Sequence, residues 1–339
     1  MIDFKHIIDR TDANIQVFVG GKTRSEYTHY ETWNKPAGVK WIYMIAVGAG
    51  GSGSSTQAFG SSGPGGAGGG SGGQTTAFLP AFFVPDLLFV DVGAGGDPVS
   101  AALADGIAGT NTDIRSDIGQ NALVQQQVSF CFAYGGSGGV SPTVVSTGGV
   151  GGAGASISQI ANSVPLGRGL FSFFAGQSGT NGGNNGTSGL GHGINQLYPS
   201  DGLCVTGGTG GGGGGNTTAY YGGGFIGPGA NNAPDFAPYG NSVYIPGILP
   251  ATPTQRGQDG WNQLNNIFSS GQGFIMNRGG QGGGGSGTPA GGGTAGMAGA
   301  GGAGAPGCGG GGSGGLTTTM STLAPSGAGG PGFAIIISF

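Results

Sequence analysis

The sequence predicts a mainly β protein with irregular glycine-rich arrays. Packed polyglycine-II helices fill the arrays, short β-strands flank them, and there is little α-helix. Three observations carry that expectation. Glycine supplies 87 of 339 residues, against roughly 7% in ordinary chains. Short apolar segments alternate with the glycine arrays along the sequence. Hydrophobic residues still reach 36%, with 18 Phe and 9 Tyr, so the chain has apolar surface to bury, which disordered low-complexity chains lack.

Residues 1–40 hold six of the ten Lys plus Arg and only three glycines. They read as an N-terminal attachment module. Ala13 to Val19 is rich in β-branched and aromatic residues, which suits a strand. Gly20-Gly21 signals a turn, and Tyr27 to Trp33 alternates aromatic and polar residues as a half-exposed strand does. A β-hairpin is the expected form. Residues 41–339 then form the glycine-rich domain. Trp41 to Val47 is apolar on both faces, like a fully buried strand, and runs directly into glycine. Val90–Val92, Phe130–Tyr134, Leu170–Ala175 and Phe274–Met276 repeat the pattern of strand followed by glycine. Asp97-Pro98 followed by VSAALAD offers an N-cap and a Pro at the first helical position, which predicts two turns of helix. Residues 332–339 predict a closing strand.

Glycine loses more backbone entropy on folding than any other residue, so an ordered array needs an offset. A threefold extended helix has no internal hydrogen bonds, and its N–H and C=O groups point outward. Such helices satisfy these groups only by packing side by side, and glycine permits that approach because it has no Cβ. Gly293, Gly296, Gly299 and Gly302 keep a period of three, which Gly304, Gly307 and Gly310 resume out of register. Collagen requires an unbroken repeat with abundant Pro, so collagen is excluded.

Several function classes fit poorly. The net charge is −4, and four arginines (Arg115, Arg168, Arg256 and Arg278) are the only Lys or Arg after Lys40. No clustered basic surface for nucleic acid is expected. Val47 to Gly53 fits G-x-G-x-x-G, but neither a helix nor a suitably placed acidic residue follows. Gly20-Gly21-Lys22-Thr23 ends like a phosphate loop but lacks its first glycine. His6, His29 and His192 are scattered. Asp105, Asp113 and Asp117 lack the spacing of a calcium loop and suit turns and caps. Cys131, Cys204 and Cys308 share no metal or disulfide spacing and suit small buried thiols. The expectation is therefore no enzyme, no cofactor and no metal. No stretch is long and apolar enough to span a membrane, and the first residues lack the apolar core of a secretory signal.

Thr32-Trp33-Asn34-Lys35-Pro36-Ala37-Gly38, followed by Trp41 to Gly51, resembles the opening of the glycine-rich domain of tailed-phage fibre and other virion proteins. Val92-Gly93-Ala94-Gly95-Gly96 matches the second strand of such domains. Gly329-Gly330-Pro331-Gly332 with Phe333 to Phe339 matches their close. The resemblance spans residues 32 to 339. It implies a virion structural protein, in a tail fibre or on the particle surface, bound to other virion proteins through residues 1–40. In related tail-tip adhesins, polyglycine-II arrays carry loops that bind the host, which implies a surface receptor or glycan as a second partner. Aromatic loop tips suit such contacts, and Tyr220, Tyr221 and Tyr239 are the candidates. Two alternatives stand beside this reading: a cellular glycine-rich surface or matrix protein, and a capsid-associated decoration protein with no receptor role. The sequence leaves homo-oligomerisation open.

Overall fold

The structure, a computed structural model, describes residues 13–21, 30–57, 63–116, 128–143, 147–155, 171–184, 192–193, 203–204, 207–213, 223, 226–227, 275–276, 298–316 and 323–339. The chain is mainly β. Its strands are β1 (Asn14–Val19), β2 (Glu31–Asn34), β3 (Trp41–Val47), β4 (Gln74–Pro80), β5 (Leu87–Asp91), β6 (Thr112–Arg115), β7 (Ser129–Ala133), β8 (Phe171–Phe174), β9 (His192–Gly193), β10 (Leu203–Cys204), β11 (Ile226–Gly227), β12 (Ile275–Met276) and β13 (Phe333–Ser338). One antiparallel sheet has the order β1-β13-β3-β4-β8, and a second has β2-β5-β6-β7. The short β9 and β10 pair in parallel with β11 and β12 respectively.

The two large sheets face each other across an apolar core. Ile42, Met44 and Ala46 of β3 and Ala334 and Ile336 of β13 meet Trp33, Leu88, Val90 and Ile114 of the second sheet. The alternate residues of β3 and β13, among them Tyr43, Ile45, Ile335 and Ile337, bury on the other face with Ala305 and Cys308. These strands are thus covered on both faces, as their unbroken apolar sequences require.

Among the described residues, the expected hairpin pairing between residues 13–19 and 30–33 is not found. β1 pairs with β13, and β2 pairs with β5. Phe18 of β1 and Trp33 of β2 enter the same core from opposite sheets, an arrangement that two strands of one flat hairpin cannot supply. The expected helix after Pro98 is also absent. Val99 exchanges hydrogen bonds with Ser326, its N–H donating to Oγ at 3.0 Å and its carbonyl accepting from N–H at 2.9 Å. Leu103 sits at φ 50°, outside helical space.

Glycine segments leave one end of the sheets. The 48–55 segment continues β3, 134–141 continues β7 and 175–184 continues β8, while 65–73 returns into β4 and 324–332 into β13. Their hydrogen bonds follow a threefold pattern. Gly48, Gly51 and Ser54 donate to Gly73, Gly70 and Ala67. Ala49, Ser52 and Ser55 donate to Thr110, Ile107 and Ala104. Gly50 and Gly53 donate to Gly330 and Gly327. Successive N–H groups therefore point to three different neighbours, the signature of a three-residue turn.

The carbonyls of the same segment are engaged as well. Gly136 and Gly139 donate to the Ala49 and Ser52 carbonyls, Gly96 to Gly50, and Gly310 and Ser313 to Gly51 and Ser54. The 48–55 segment is therefore enclosed on every side by other segments. The 65–73 segment is enclosed in the same way, donating to 177–183, 307–313 and 134–137 and accepting from 149–155, 208–211 and 48–54. These arrays are thus packed polyglycine-II helices.

Few side chains fit inside this lattice. Ser52, Ser54, Ser55 and Ser71 are fully buried, and each hydroxyl accepts a backbone N–H: from Ile107, Ala67, Ala104 and Gln177 respectively, at 2.7–3.0 Å. The 298–305 and 308–316 segments are joined at Pro306-Gly307. There Cys308 N–H donates to the Ala305 carbonyl at 2.9 Å and Gly307 takes φ 79°, a left-handed conformation that favours glycine at the third position of such a turn.

Candidate functional site

The sandwich has two unlike ends. The lattice helices that continue the sheet strands emerge at the end marked by Val47, Gln74 and Phe333, which stand in register across β3, β4 and β13. The opposite end is marked by Trp41 opposite Pro80. There β4 passes through a 3-10 turn, Ala81–Phe83, and Val84-Pro85-Asp86 into β5. Phe82 is 79% and Phe83 61% exposed, and their rings lie 4.1 Å apart.

Lys35 holds this turn in place. Its Nζ donates to the Val84 carbonyl at 2.7 Å and the Ala81 carbonyl at 3.2 Å, and pairs with Asp86 at 2.8 Å. The backbone adds Lys35 N–H to the Asp86 carbonyl and Ala81 N–H to the Lys40 carbonyl. The two phenylalanines therefore project from a fixed backbone, so little ordering entropy remains to oppose a contact. At the same end of the sheet, Trp41 stacks on Phe78 at 5.0 Å, and Phe78 lies 6.2 Å from the Phe339 ring. This aromatic end is the candidate contact site.

The sequence reasoning missed Phe82 and Phe83. Their signal was the pair of aromatics ahead of Val-Pro-Asp, where Pro and Asp favour a turn and so place the aromatics at an exposed corner. Tyr220, Tyr221 and Tyr239 lie outside the described residues, as do His6, His29 and Asp117. Among the described residues, no group of three His, Cys, Asp or Glu side chains is placed to hold a metal ion. No helix among them is long and apolar enough to cross a membrane.

The apparent dinucleotide fingerprint is part of the lattice. From Gly48 to Gly53 each N–H donates to a carbonyl of another segment, so these donors do not form a cradle for phosphate. Asp105 caps a neighbouring segment by accepting from Ser141 N–H and Oγ, at 2.7 and 2.8 Å. Cys131 and Cys308 are buried. Burial pushes the Cys131 thiol well above its ordinary range, and its Sγ lies 3.3 Å from the Thr75 carbonyl.

Arg115 sits between two carboxylates, 3.2 Å from Asp91 and 3.7 Å from Asp113. Ser129 Oγ donates to Asp113. Burial raises the Asp113 carboxyl pKa above its ordinary 3.8, and the Ser129 hydrogen bond and Arg115 only partly offset that. A raised carboxyl favours the native state at low pH, and this contribution is lost as pH rises through the native value. Asp113→Asn keeps an acceptor for Ser129 and removes the titration. The melting temperature of the variant relative to wild type is therefore expected to rise as pH increases above 3.8. Thermal unfolding across a pH series checks this, and a difference that is flat with pH would reject it.

The fold defines a class: a β-sandwich that anchors a lattice of polyglycine-II helices. A family model described as a glycine-rich domain matches residues 23–243, and the chain belongs to that family. No curated protein matches it.

Proposed function

We infer that the chain is a structural protein of a phage particle, in a tail fibre or on the particle surface. It attaches at the aromatic end of the sandwich and directs the glycine lattice outward, toward a host receptor. The observation that carries this reading is the polarity of the molecule. A fixed, solvent-exposed aromatic pair occupies one end, and a lattice with its backbone donors engaged occupies the other. Lys35, which lies within residues 1–40, fixes that aromatic pair, which supports a docking role for this end. The resemblance of the opening and closing motifs to virion glycine-rich domains supports the location.

Mass spectrometry of purified particles tests the location, and absence of the chain from the particles would overturn it. Recombinant protein is expected to bind host cells and to compete with infection. A folded protein that does neither would leave a scaffold role without receptor contact. For the docking end, a Phe82→Ser, Phe83→Ser double variant is expected to change stability by less than about 0.5 kcal/mol per site, as at other exposed positions. Its incorporation into particles is expected to fall at least tenfold, read by quantitative mass spectrometry. Normal incorporation of the folded variant would place the attachment elsewhere.

A further inference from the structure

One side of the lattice is finished differently from its interior. The segments 104–111, 134–141, 148–155 and 175–184 lie side by side there, linked by the bonds Gly106 to Gly139, Ser137 to Ala153 and Gly179 to Gly152. Their exposed positions recur every three residues: Asp105, Ala108 and Asn111 on the first, and Ser178, Asn181 and Asn184 on the last. The enclosed 48–55 and 65–73 segments carry only glycine, alanine and serine, whereas these exposed rows also carry the longer side chains of Asp105, Asn111, Asn181 and Asn184.

The polar members of these rows share one geometry. Asn184 Oδ1 accepts from Gly148 N–H at 2.9 Å, Asn181 Oδ1 from Gly151 at 2.9 Å, and Ser178 Oγ from Gly154 at 3.4 Å. Asn111 Oδ1 accepts from Gly135 at 3.0 Å, and Asp105 Oδ1 from Ser141 at 2.7 Å. In the interior, most donors at this period meet the carbonyls of a further helix, and buried serine hydroxyls take a few. Here exposed side-chain oxygens take every donor of the row.

We propose that the row Ser178, Asn181 and Asn184 is an edge stop, which keeps this side of the lattice from accepting a glycine segment of a second copy of the chain. The occupant follows from the pattern. The Gly148, Gly151 and Gly154 donors have the period of lattice carbonyls, and this chain carries such carbonyls on its lattice helices. The stop has two parts. The oxygens satisfy the donors, and the Cβ atoms hold off an approaching backbone. Unpaired edges of β-sheets are protected from further pairing for the same reason.

Two variants of the full chain separate these parts. Changing Ser178, Asn181 and Asn184 together to glycine removes both. This variant is expected to self-associate at least tenfold more tightly than wild type in sedimentation equilibrium, and restoring Asn181 alone is expected to reverse most of the gain. Changing the three to alanine removes the oxygens and keeps the Cβ atoms. Here wild-type association is expected, with amide exchange at Gly148, Gly151 and Gly154 at least tenfold faster. A folded glycine variant with wild-type association overturns the stop. If the glycine variant does not fold, the single Asn181→Gly variant decides: association no tighter than wild type overturns the proposal, and tighter association supports it.

Discussion

Gly309→Ala is expected to destabilise the protein by about 3 kcal/mol or more, at the upper end of overpacking costs. A Cβ at this position would press into the Gly69 carbonyl, 2.6 Å from its carbon and 2.7 Å from Gly208 N. That carbonyl accepts from Gly208 N–H at 2.8 Å, and Gly69 N–H donates to the Gly310 carbonyl at 2.9 Å. The methyl therefore strikes a junction of three segments, and all the atoms that would have to move are backbone. Gly73→Ala is the comparison. There the nearest atoms are the Ala155 Cβ at 3.2 Å and the Phe174 carbonyl oxygen at 3.3 Å. Small shifts relieve such contacts, and the reduced freedom of the unfolded chain returns about 0.4–1 kcal/mol. Denaturant unfolding of the two variants checks the contrast, and equal costs would contradict it.

Trp33→Ala is expected to cost about 3–5 kcal/mol, the range for emptying a large aromatic site. Trp33 is fully buried and packs in the core between the sheets. It comes from β2, which stands at the edge of its sheet beside β5. The indole is the one buried side chain of that strand, so its removal empties the core and leaves β2 held by its backbone pairing. Trp33→Phe retains part of the volume and should cost clearly less. A chemical denaturation midpoint that does not separate the two variants would show that Trp33 is not a core anchor.

The strands that run into glycine were legible because their apolar, β-branched residues stand out from the arrays. β3, β8, β12 and β13 fall within predicted segments, and β5 and β7 overlap them. β4 and β6 were not read. β4 opens with Gln74, Thr75 and Thr76, buried polar residues next to glycine, and β6 contains Asp113 and Arg115, which pair with each other. Strand pairing was less legible than strand location. A local hairpin is the simplest partner for β1, but its actual partner, β13, lies at the other end of the sequence. Period and composition predicted threefold helices, yet not which helices touch, because glycine carries no side chain to specify a neighbour. Among the residues of the aromatic end, Lys35 stood inside the motif that carried the resemblance, while its partners at Ala81, Val84 and Asp86 could not be read from spacing.

The position of β13 bears on how the molecule comes to exist. This strand lies between β1 and β3, and the residues just before it accept the Gly50 and Gly53 N–H groups of the central helix. Until residues beyond 320 have been synthesised, the sheet lacks a middle strand and the lattice lacks acceptors at its centre. Closing contacts over such long sequence separations is slow. The same closure protects the finished molecule. Withdrawing any one of the enclosed helices would leave donors on several others without acceptors, at a cost of about 1–3 kcal/mol for each buried group, so the lattice is expected to open as a unit rather than helix by helix.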